Sequence, residues 1–308
     1  MANVLSLKRV SASSSPPPGV SEVQPVAKLI DVSRCIGCKG CEVACKEWND
    51  LPPEPTHNFG SYQSHEDLSA QTWTLIRFHE VEIDGRLQWL MLKDQCMHCE
   101  DPGCLAACPS PGAIVQYANG IVDFNQDACI GCGYCITGCP FDVPRLSATT
   151  GKVYKCNLCV DRVSAGLEPA CAKTCPTGAI QFGPKDQMLE RARTSAERLK
   201  QRGYANAAVY SPQGVGGTHV IYVLPHGDAV EQYGLPKDPQ VSPAVHAWKG
   251  ILKTIGSMVM GVGLVGTALH YLTYGPTWAE GDKEDGGRRE VTSVGRQSGQ
   301  GDQPHRKD

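Results

Sequence analysis

The sequence predicts an α+β fold followed by one membrane-spanning helix near the carboxyl end. Three observations support this prediction. The 308 residues contain sixteen cysteines, all of them between residues 35 and 175. Residues 72–92 read as two strands, with alternating apolar and polar side chains, joined at Asp84-Gly85, which is typical of a β-hairpin. Residues 254–279 contain no Asp, Glu, Lys or Arg.

The cysteines fall into four groups that share one spacing. Each group begins with Cys-x2-Cys and ends with Cys-x3-Cys, and proline follows the last cysteine in three of the groups, whereas Lys46 takes that place in the first. The middle gap is two residues in the first and third groups, four in the second and eleven in the fourth. The four groups are Cys35, Cys38, Cys41 and Cys45; Cys96, Cys99, Cys104 and Cys108; Cys129, Cys132, Cys135 and Cys139; and Cys156, Cys159, Cys171 and Cys175.

This spacing is typical of iron–sulfur clusters. Three closely spaced cysteines wrap a loop over one [4Fe–4S] cube, and in two-cluster ferredoxins the fourth cysteine binds the other cluster. Two alternatives fit the pattern less well. Structural zinc sites pair two Cys-x2-Cys knuckles and do not require the Cys-x3-Cys ending. Disulfide frameworks belong mainly to small secreted domains, and residues 1–18 lack the apolar stretch of a secretory signal. The pattern therefore predicts four [4Fe–4S] clusters.

The pairing of the groups follows from one short gap. Because Cys108 and Cys129 are separated as in two-cluster ferredoxins, the second and third groups are expected to form one ferredoxin-like module, and the first and fourth groups a second module. On this pairing, cluster A is held by Cys35, Cys38, Cys41 and Cys175; cluster B by Cys156, Cys159, Cys171 and Cys45; cluster C by Cys96, Cys99, Cys104 and Cys139; and cluster D by Cys129, Cys132, Cys135 and Cys108.

The remaining segments complete the predicted organisation. Residues 1–25, rich in Ser, Pro and Val, are expected to form a disordered arm, and residues 277–308 a solvated charged tail. The four-cluster domain covers residues 26–184 and includes the hairpin at 72–92. Residues 185–245 are expected to contain a helix over 186–201, a short strand over 215–224 and a linker.

Residues 246–276 are predicted to be the membrane segment. The apolar centre at 255–274 has the length that a bilayer requires. Trp248, Tyr271, Tyr274 and Trp278 lie near its ends, as membrane-interface aromatic residues do. The alternative is a buried core helix. Lys and Arg are similarly frequent on both sides, so they do not fix the orientation.

Other functional classes find little support. The net charge of −3 and the absence of a basic run argue against nucleic-acid binding, and no dinucleotide fingerprint, P-loop or Ser–His–Asp arrangement is present. His98, beside Cys99, is an alternative ligand, but its group of cysteines is already complete. Nearby charges influence cluster potentials. Four basic residues close to ligands are candidates for that role, or for ordinary surface positions: Lys39, Lys46, Lys155 and Arg162.

Beyond the cysteines, several stretches resemble the beta subunit of respiratory formate dehydrogenase, one of the four-cluster subunits that partner molybdopterin oxidoreductases. The motif Cys96-Met-His-Cys-Glu-Asp-Pro-Gly-Cys104 is one of them. The single helix near the carboxyl end is similar too, and the resemblance extends over about residues 27–276. The other matching stretches are 27–38, 47–50, 68–70, 117–124, 129–135 and 214–219.

The resemblance implies an electron-transfer subunit without an active site of its own. A catalytic alpha subunit with molybdenum or tungsten and a pterin cofactor would oxidise formate. The four clusters would relay electrons to a membrane gamma subunit with haem b, which reduces quinone. The chain would cross the inner membrane once, with its cluster domain on the periplasmic side. The runner-up is the iron–sulfur subunit of a membrane hydrogenase or another molybdopterin reductase, and a membrane-anchored zinc protein is a rival from another class.

Overall fold

The structure is a computed structural model that describes residues 5–12, 23–247 and 253–275. The chain divides into two units, residues 1–255 and residues 256–308. The strands are β1 (Leu7–Val10), β2 (Val26–Asp31), β3 (Leu75–Ile83), β4 (Arg86–Asp94), β5 (Ile114–Tyr117), β6 (Val122–Phe124), β7 (Arg145–Leu146), β8 (Val153–Tyr154), β9 (Ile180–Pro184), β10 (Ala208–Tyr210) and β11 (Val220–Leu224). The helices are α1 (Gly40–Trp48), α2 (Gly103–Ala107), α3 (Tyr134–Thr137), α4 (Val160–Ser164), α5 (Ala170–Lys173), α6 (Lys185–Gln201), α7 (Pro243–Ala247) and α8 (Lys253–Tyr274).

A four-stranded sheet in the order β10-β11-β2-β9 organises the first unit. Successive side chains of β2 alternate between its two faces. Ala27 and Leu29 pack against Met188 and Leu199 of the amphipathic helix α6. The residues between and after them, Lys28 and Ile30, are also buried, on the opposite face. The sheet therefore presents a lysine to the cysteine-rich side of the molecule.

The predicted hairpin is present as β3 and β4, paired in register from Leu75 with Asp94 to Ile83 with Arg86. Asp84 and Gly85 both have positive φ, 53° and 69°, as a two-residue hairpin turn with type I′ geometry requires. The hairpin also shapes a cysteine loop, because a Cβ at Gly37 would lie 2.8 Å from the Phe78 ring. Only glycine fits there, so β3 fixes the path of residues 35–39.

The predicted disorder of residues 1–25 does not hold for the part of this arm that the structure describes. β1 pairs antiparallel with β5 in a three-stranded sheet with β6. Arg9 forms an ion pair with Asp101 at 2.8 Å, and Lys8 forms another with Glu100. The sequence signal was misread because a four-residue strand gains its stability from a distant sheet edge and two acidic residues.

Residues 185–245 form more of the fold than the predicted helix and linker. The strand expected over 215–224 begins only at Val220, after a turn in which Gly216 and Gly217 have positive φ. From there it pairs parallel to β2 and antiparallel to β10, and all five of its residues are buried. Contacts with chain segments nearly two hundred residues away make it a central strand of the sheet.

The second unit contains most of α8. Thr254–Tyr274 is long and apolar enough to cross a membrane, and none of its most apolar window is buried, so the buried-helix alternative is not supported. The hydroxyls of Thr267 and Thr273 donate to the carbonyls of Gly263 and Leu269, which satisfies them within the helix. Trp248, Trp278 and the predicted tail at 277–308 lie outside the described residues.

Candidate metal centres

Short helices position the cysteines at the end of each predicted group. Residues four apart lie on the same face of a helix, so a Cys-x3-Cys ending directs two thiols to one side. α1 carries Cys41 and Cys45 in this way, and α5 packs against it with Cys171. α2, which carries Cys104, packs against α3, which carries Cys135. The second contact is close: a Cβ at Gly103 would lie 2.2 Å from the Gly138 carbonyl oxygen.

The thiols predicted for cluster A line one cavity, together with apolar side chains that include Ile30 and Ile76. Loop residues 35–39 bring the first cysteines there, with positive φ at Gly37 and Lys39. Cys38 is exposed, whereas Cys41 is buried. This end of the set is therefore open to solvent at Cys38. The cavity-lining cysteines are Cys35, Cys38, Cys41 and Cys175.

The thiols predicted for cluster B are all buried. Burial raises the pKa of Cys45 above its usual range, and the nearby thiols of the same set, Cys156 first among them, raise it further. Burial also raises the pKa of Cys159 to about 11, although a backbone hydrogen bond opposes the shift. The four thiols that influence one another here are Cys45, Cys156, Cys159 and Cys171.

The thiols predicted for clusters C and D line two further cavities. The cavity of set C includes His98, Val122, Phe141 and Lys155 in its wall. The lining of the set D cavity is otherwise mostly apolar, and Cys132 is exposed in it. The cysteines are Cys96, Cys99, Cys104 and Cys139 in the first cavity, and Cys108, Cys129, Cys132 and Cys135 in the second.

The four sets follow one another in a row. Cys41 of set A lies close enough to Cys171 of set B for the two thiols to interact electrostatically. The same is true of Cys96 in set C and Cys156 in set B. Cys104 of set C and Cys135 of set D form the third contact. These three interactions link the predicted sets in the order A, B, C, D.

The donor chemistry fits iron–sulfur clusters. All sixteen cysteines are free thiols, and no three Cys, His, Asp or Glu side chains among the described residues converge on a point that suits a single metal ion. In three of the sets the four thiols surround a cavity instead. Burial raises the pKa of Cys41 and of Cys135 to about 12. Thiols of this kind become thiolates only when a metal displaces the proton.

Two buried lysines beside these sets were missed by the sequence reasoning. Lys28 of β2 and Lys93 of β4 are 0% and 2% exposed. Burial raises the pKa of a cysteine, but the two ammonium groups outweigh this effect at Cys171 and leave its pKa below the usual value. The available signal in the sequence was a lysine among the apolar residues of a strand. The same pattern is equally typical of an exposed lysine in an edge strand.

The four basic residues singled out in the sequence occupy different environments. Only Lys155 is buried, 4% exposed, in the cavity wall of set C. Lys46 donates to the Gln71 carbonyl at 3.0 Å, and Arg162 stacks on Trp48 at 4.2 Å. Lys39 lies 5.7 Å from the Phe78 ring centroid and also lines the cavity of set A. The buried member, Lys155, acts on the thiols of set C, where its charge lowers the pKa of Cys96 and of Cys104 against the larger effect of burial.

His98 contributes to the same cavity wall without replacing a cysteine. It is fully buried, and burial lowers its pKa well below the usual value. Its Nδ1 accepts a hydrogen bond from the Val122 backbone N–H at 3.0 Å, so the neutral ring carries its proton on Nε2. The ring supports β6, and four thiols already line the cavity.

Glycine substitutions provide a test of set D. A Cβ at Gly131, between Cys129 and Cys132, would lie 2.0 Å from the Gly151 carbonyl oxygen. Gly131→Ala is therefore expected to cost about 1–3 kcal/mol from overpacking, in addition to the cost of a left-handed alanine. We expect loss of one cluster's share of iron and sulfide, measured on the purified protein.

Gly151→Ala is the matched control. Gly151 has φ +65°, close to the +69° of Gly131, but a Cβ there meets nothing within 4 Å. Both variants carry the left-handed strain, and only Gly131→Ala carries the clash. Equal iron contents in the two variants would contradict the role of Gly131 in forming the cavity of set D.

Comparison with known families agrees with this geometry. Residues 34–113 and 87–185 match families described as 4Fe-4S dicluster domains. Residues 241–284 match the transmembrane domain of formate dehydrogenase N. The predicted α+β fold with ferredoxin-like dicluster modules is thereby confirmed. With α8, the last match identifies a single-pass membrane anchor.

Curated relatives narrow the assignment. The protein is 57% identical to the nitrate-inducible formate dehydrogenase iron–sulfur subunit of Escherichia coli K12, over 91% of its own length and 96% of that relative. It is 54% identical to the formate dehydrogenase iron–sulfur subunit of Haemophilus influenzae, over 92% and 91%. A subunit of the anaerobic dimethyl sulfoxide reductase of Escherichia coli K12 is 37% identical, over 53% and 75%.

These relationships confirm the predicted class of protein. The chain is an electron-transfer subunit of a formate dehydrogenase complex and has no active site of its own. Its sixteen cysteines and two dicluster matches fit four [4Fe–4S] clusters. The chain belongs to the family of formate dehydrogenase iron–sulfur subunits.

Proposed function

We propose that sets A, B, C and D each hold one [4Fe–4S] cluster and form a single electron path through the chain. A bound [4Fe–4S] cluster accepts and donates one electron at a time. The observation that carries the proposal is the series of electrostatic interactions that joins a thiol of set A to set B, one of set B to set C, and one of set C to set D. Buried apolar side chains around the sets keep water away from the interior of the path, which is open to solvent at Cys38 and Cys132.

Electrons enter at set A, which faces a molybdopterin catalytic subunit with molybdenum or tungsten that oxidises formate. An aromatic patch of Tyr62, Phe78 and Trp89 beside set A supports this direction. The ring centroid of Trp89 lies 5.1 Å from that of Tyr62 and 5.6 Å from that of Phe78. Tyr62 and Trp89 are largely exposed, and Ile36 of the cavity wall is 60% exposed. Exposed aromatic residues are typical of protein interfaces.

Electrons leave at set D, which faces a membrane subunit with haem b that reduces quinone. Ile130 and Tyr134 are exposed beside set D. An apolar groove adjoins them, with Tyr134 and Val245 among its walls. Val245 belongs to α7, which ends only six residues before the start of α8, so the chain enters its membrane segment soon after it leaves this groove. Such a surface suits a membrane-embedded partner.

The cluster domain is proposed to lie on the periplasmic side of the inner membrane, as in the respiratory members that the sequence resembles. The test is protease treatment of intact spheroplasts, followed by detection of an epitope within residues 26–184. Cleavage in intact spheroplasts is the expected result. Protection until the membrane is lysed would place the domain in the cytoplasm.

Purification of the native complex through this chain, without oxygen and in mild detergent, tests the function. We expect about four irons per cluster and formate-dependent reduction of both an artificial dye and a quinone. Zinc in place of iron would overturn the cluster assignment. Full iron content without formate activity, in a complex that retains its partners, would favour another molybdopterin reductase, the alternative that the dimethyl sulfoxide reductase relative supports.

A further inference from the structure

Three lysines are buried inside the domain beside the cysteine sets. Lys28, Lys93 and Lys155 are 0%, 2% and 4% exposed. An ammonium group that leaves water without an opposite charge loses a large part of its solvation free energy. Each of these side chains therefore requires a negative neighbour.

Their hydrogen-bond acceptors in the protein are neutral. Lys28 Nζ donates to Gln95 Oε1 at 2.8 Å, and Lys93 Nζ donates to the same oxygen at 2.5 Å and also to Thr74. Lys155 Nζ donates to the backbone carbonyls of Val122 and Cys156 at 2.5 and 2.9 Å. Within residues 5–12, 23–247 and 253–275, no Asp or Glu forms an ion pair with any of the three.

The negative neighbours are the cysteine sulfurs, joined at Lys155 by the carboxylate of Asp123. Lys28 lies close enough to Cys171 in set B for its ammonium group and the sulfur to interact electrostatically. Lys155 interacts in the same way with Cys96 and Cys104 in set C, whose cavity it also lines. Lys93 lines the cavity of set A and acts on thiols of both set A and set B, Cys41 and Cys45 among them.

A [4Fe–4S] core with four thiolate ligands is an anion that becomes more negative when it accepts an electron. A fixed positive charge nearby favours the reduced state, and its influence is large where water does not screen it. We propose that Lys28, Lys93 and Lys155 are buried counter-cations that raise the reduction potentials of clusters A, B and C. This inference rests on the proposed four-cluster path.

The assignment differs from one cluster to the next. Lys93 acts on clusters A and B, Lys28 on cluster B, and Lys155 mainly on cluster C. The lining of the set D cavity contains no lysine or arginine among the residues that the structure describes. The reduction potential of cluster D therefore depends on its exposure to solvent and not on a buried cation.

Gln95 is a positioning residue for two of these cations. Two ammonium groups repel each other, and the single oxygen of Gln95 holds both of them. Gln95 is 1% exposed and directly precedes Cys96, so the shared acceptor is buried next to a predicted ligand of cluster C.

The test is a redox titration, followed by electron paramagnetic resonance, of the purified membrane complex carrying Lys93→Met or Lys155→Met. Lys155→Met is expected to lower one midpoint potential, and Lys93→Met two of them. Each change should equal at least a tenfold shift in the ratio of reduced to oxidised cluster, which is about 59 mV for a one-electron couple. Wild-type iron and sulfide content is measured first, so a failure of the cluster assignment itself is recognised separately.

Lys173→Met is the matched control. Lys173 lies two residues from both Cys171 and Cys175, but it is exposed, so water and salt screen its charge. No potential should shift tenfold in this variant. Unchanged potentials in Lys93→Met and Lys155→Met, with full iron content, would overturn the proposal.

Charge-retaining variants cover the case in which the methionine variants lose iron. If Lys93→Arg and Lys155→Arg keep their clusters while the methionine variants lose them, the positive charge is the required feature and the proposal stands. Loss of iron in the arginine and methionine variants alike would show a requirement for side-chain shape, and would overturn it.

Discussion

Replacing Cys104 with serine is expected to stop formate-dependent quinone reduction while formate-dependent dye reduction continues. Cys104 is buried in α2 and lines the cavity of set C. A serine oxygen is a harder and weaker ligand for iron in a cluster than a thiolate. The variant should therefore lose or convert cluster C alone.

The size of the effect follows from the row of sets. In the proposed order, set C lies between sets B and D, so an electron that crosses the chain has to pass through cluster C. We expect quinone reduction to fall more than about 100-fold, which exceeds the 10–100-fold loss typical of residues that only support metal ligands. The dye accepts electrons upstream of the interruption, so its reduction should change little.

Ala106→Ser is the control for this variant. It adds the same hydroxyl to the same helix, at a half-buried position that lines none of the cysteine cavities. Its iron content and both activities should match those of the native complex. Quinone reduction that survives in Cys104→Ser, with cluster C absent, would show that a second path exists and that the linear order is wrong.

The cysteine pattern predicts much of the site because its information is local. The Cys-x3-Cys ending places two thiols on one helix face, as at Cys41 and Cys45 of α1. A short gap is enough to suggest which groups share a module. The prediction that sets A and B pair across the whole domain agrees with the contact between α1 and α5, although direct ligation by these cysteines stays a prediction.

What the sequence reasoning missed depends on contacts between distant residues. β1 is stabilised by an edge of β5 and by Glu100 and Asp101 about ninety residues away. Lys28 is buried because β2 lies between β9 and β11, and no local pattern distinguishes it from an exposed lysine in an edge strand. The electrostatic environment of the sites therefore became visible only in the assembled sheet.

The second large effect is expected from charges placed at the two ends of the proposed electron path, beside set D and beside set A. Ile130→Asp introduces a charge at a side chain that is 67% exposed beside set D. A charge without a partner in an apolar interface costs about 2 kcal/mol or more of association energy, which is about thirtyfold in affinity. We expect quinone reduction to fall by at least that factor, with dye reduction retained.

Trp89→Asp introduces the same charge at the other end, in the aromatic patch beside set A. If that patch contacts the catalytic subunit, the variant complex should lose this subunit during purification, and reduction of dye and quinone by the material retained on this chain should fall together. Tyr204→Asp is the control, because Tyr204 is exposed just after α6 and lines none of the cysteine cavities. It should leave both activities unchanged.

Together, Ile130→Asp and Trp89→Asp distinguish an effect on a subunit interface, which reveals the direction of electron transfer, from a loss of protein stability. Loss of stability alone would lower iron content and both activities in either variant, whereas an interface effect leaves iron content intact and differs between the ends. If Ile130→Asp released the catalytic subunit and Trp89→Asp the membrane subunit, the path would run from set D to set A. Because α7 lines the groove beside set D and the membrane anchor α8 follows α7 in the sequence, we expect the opposite: set D delivers electrons to the membrane subunit.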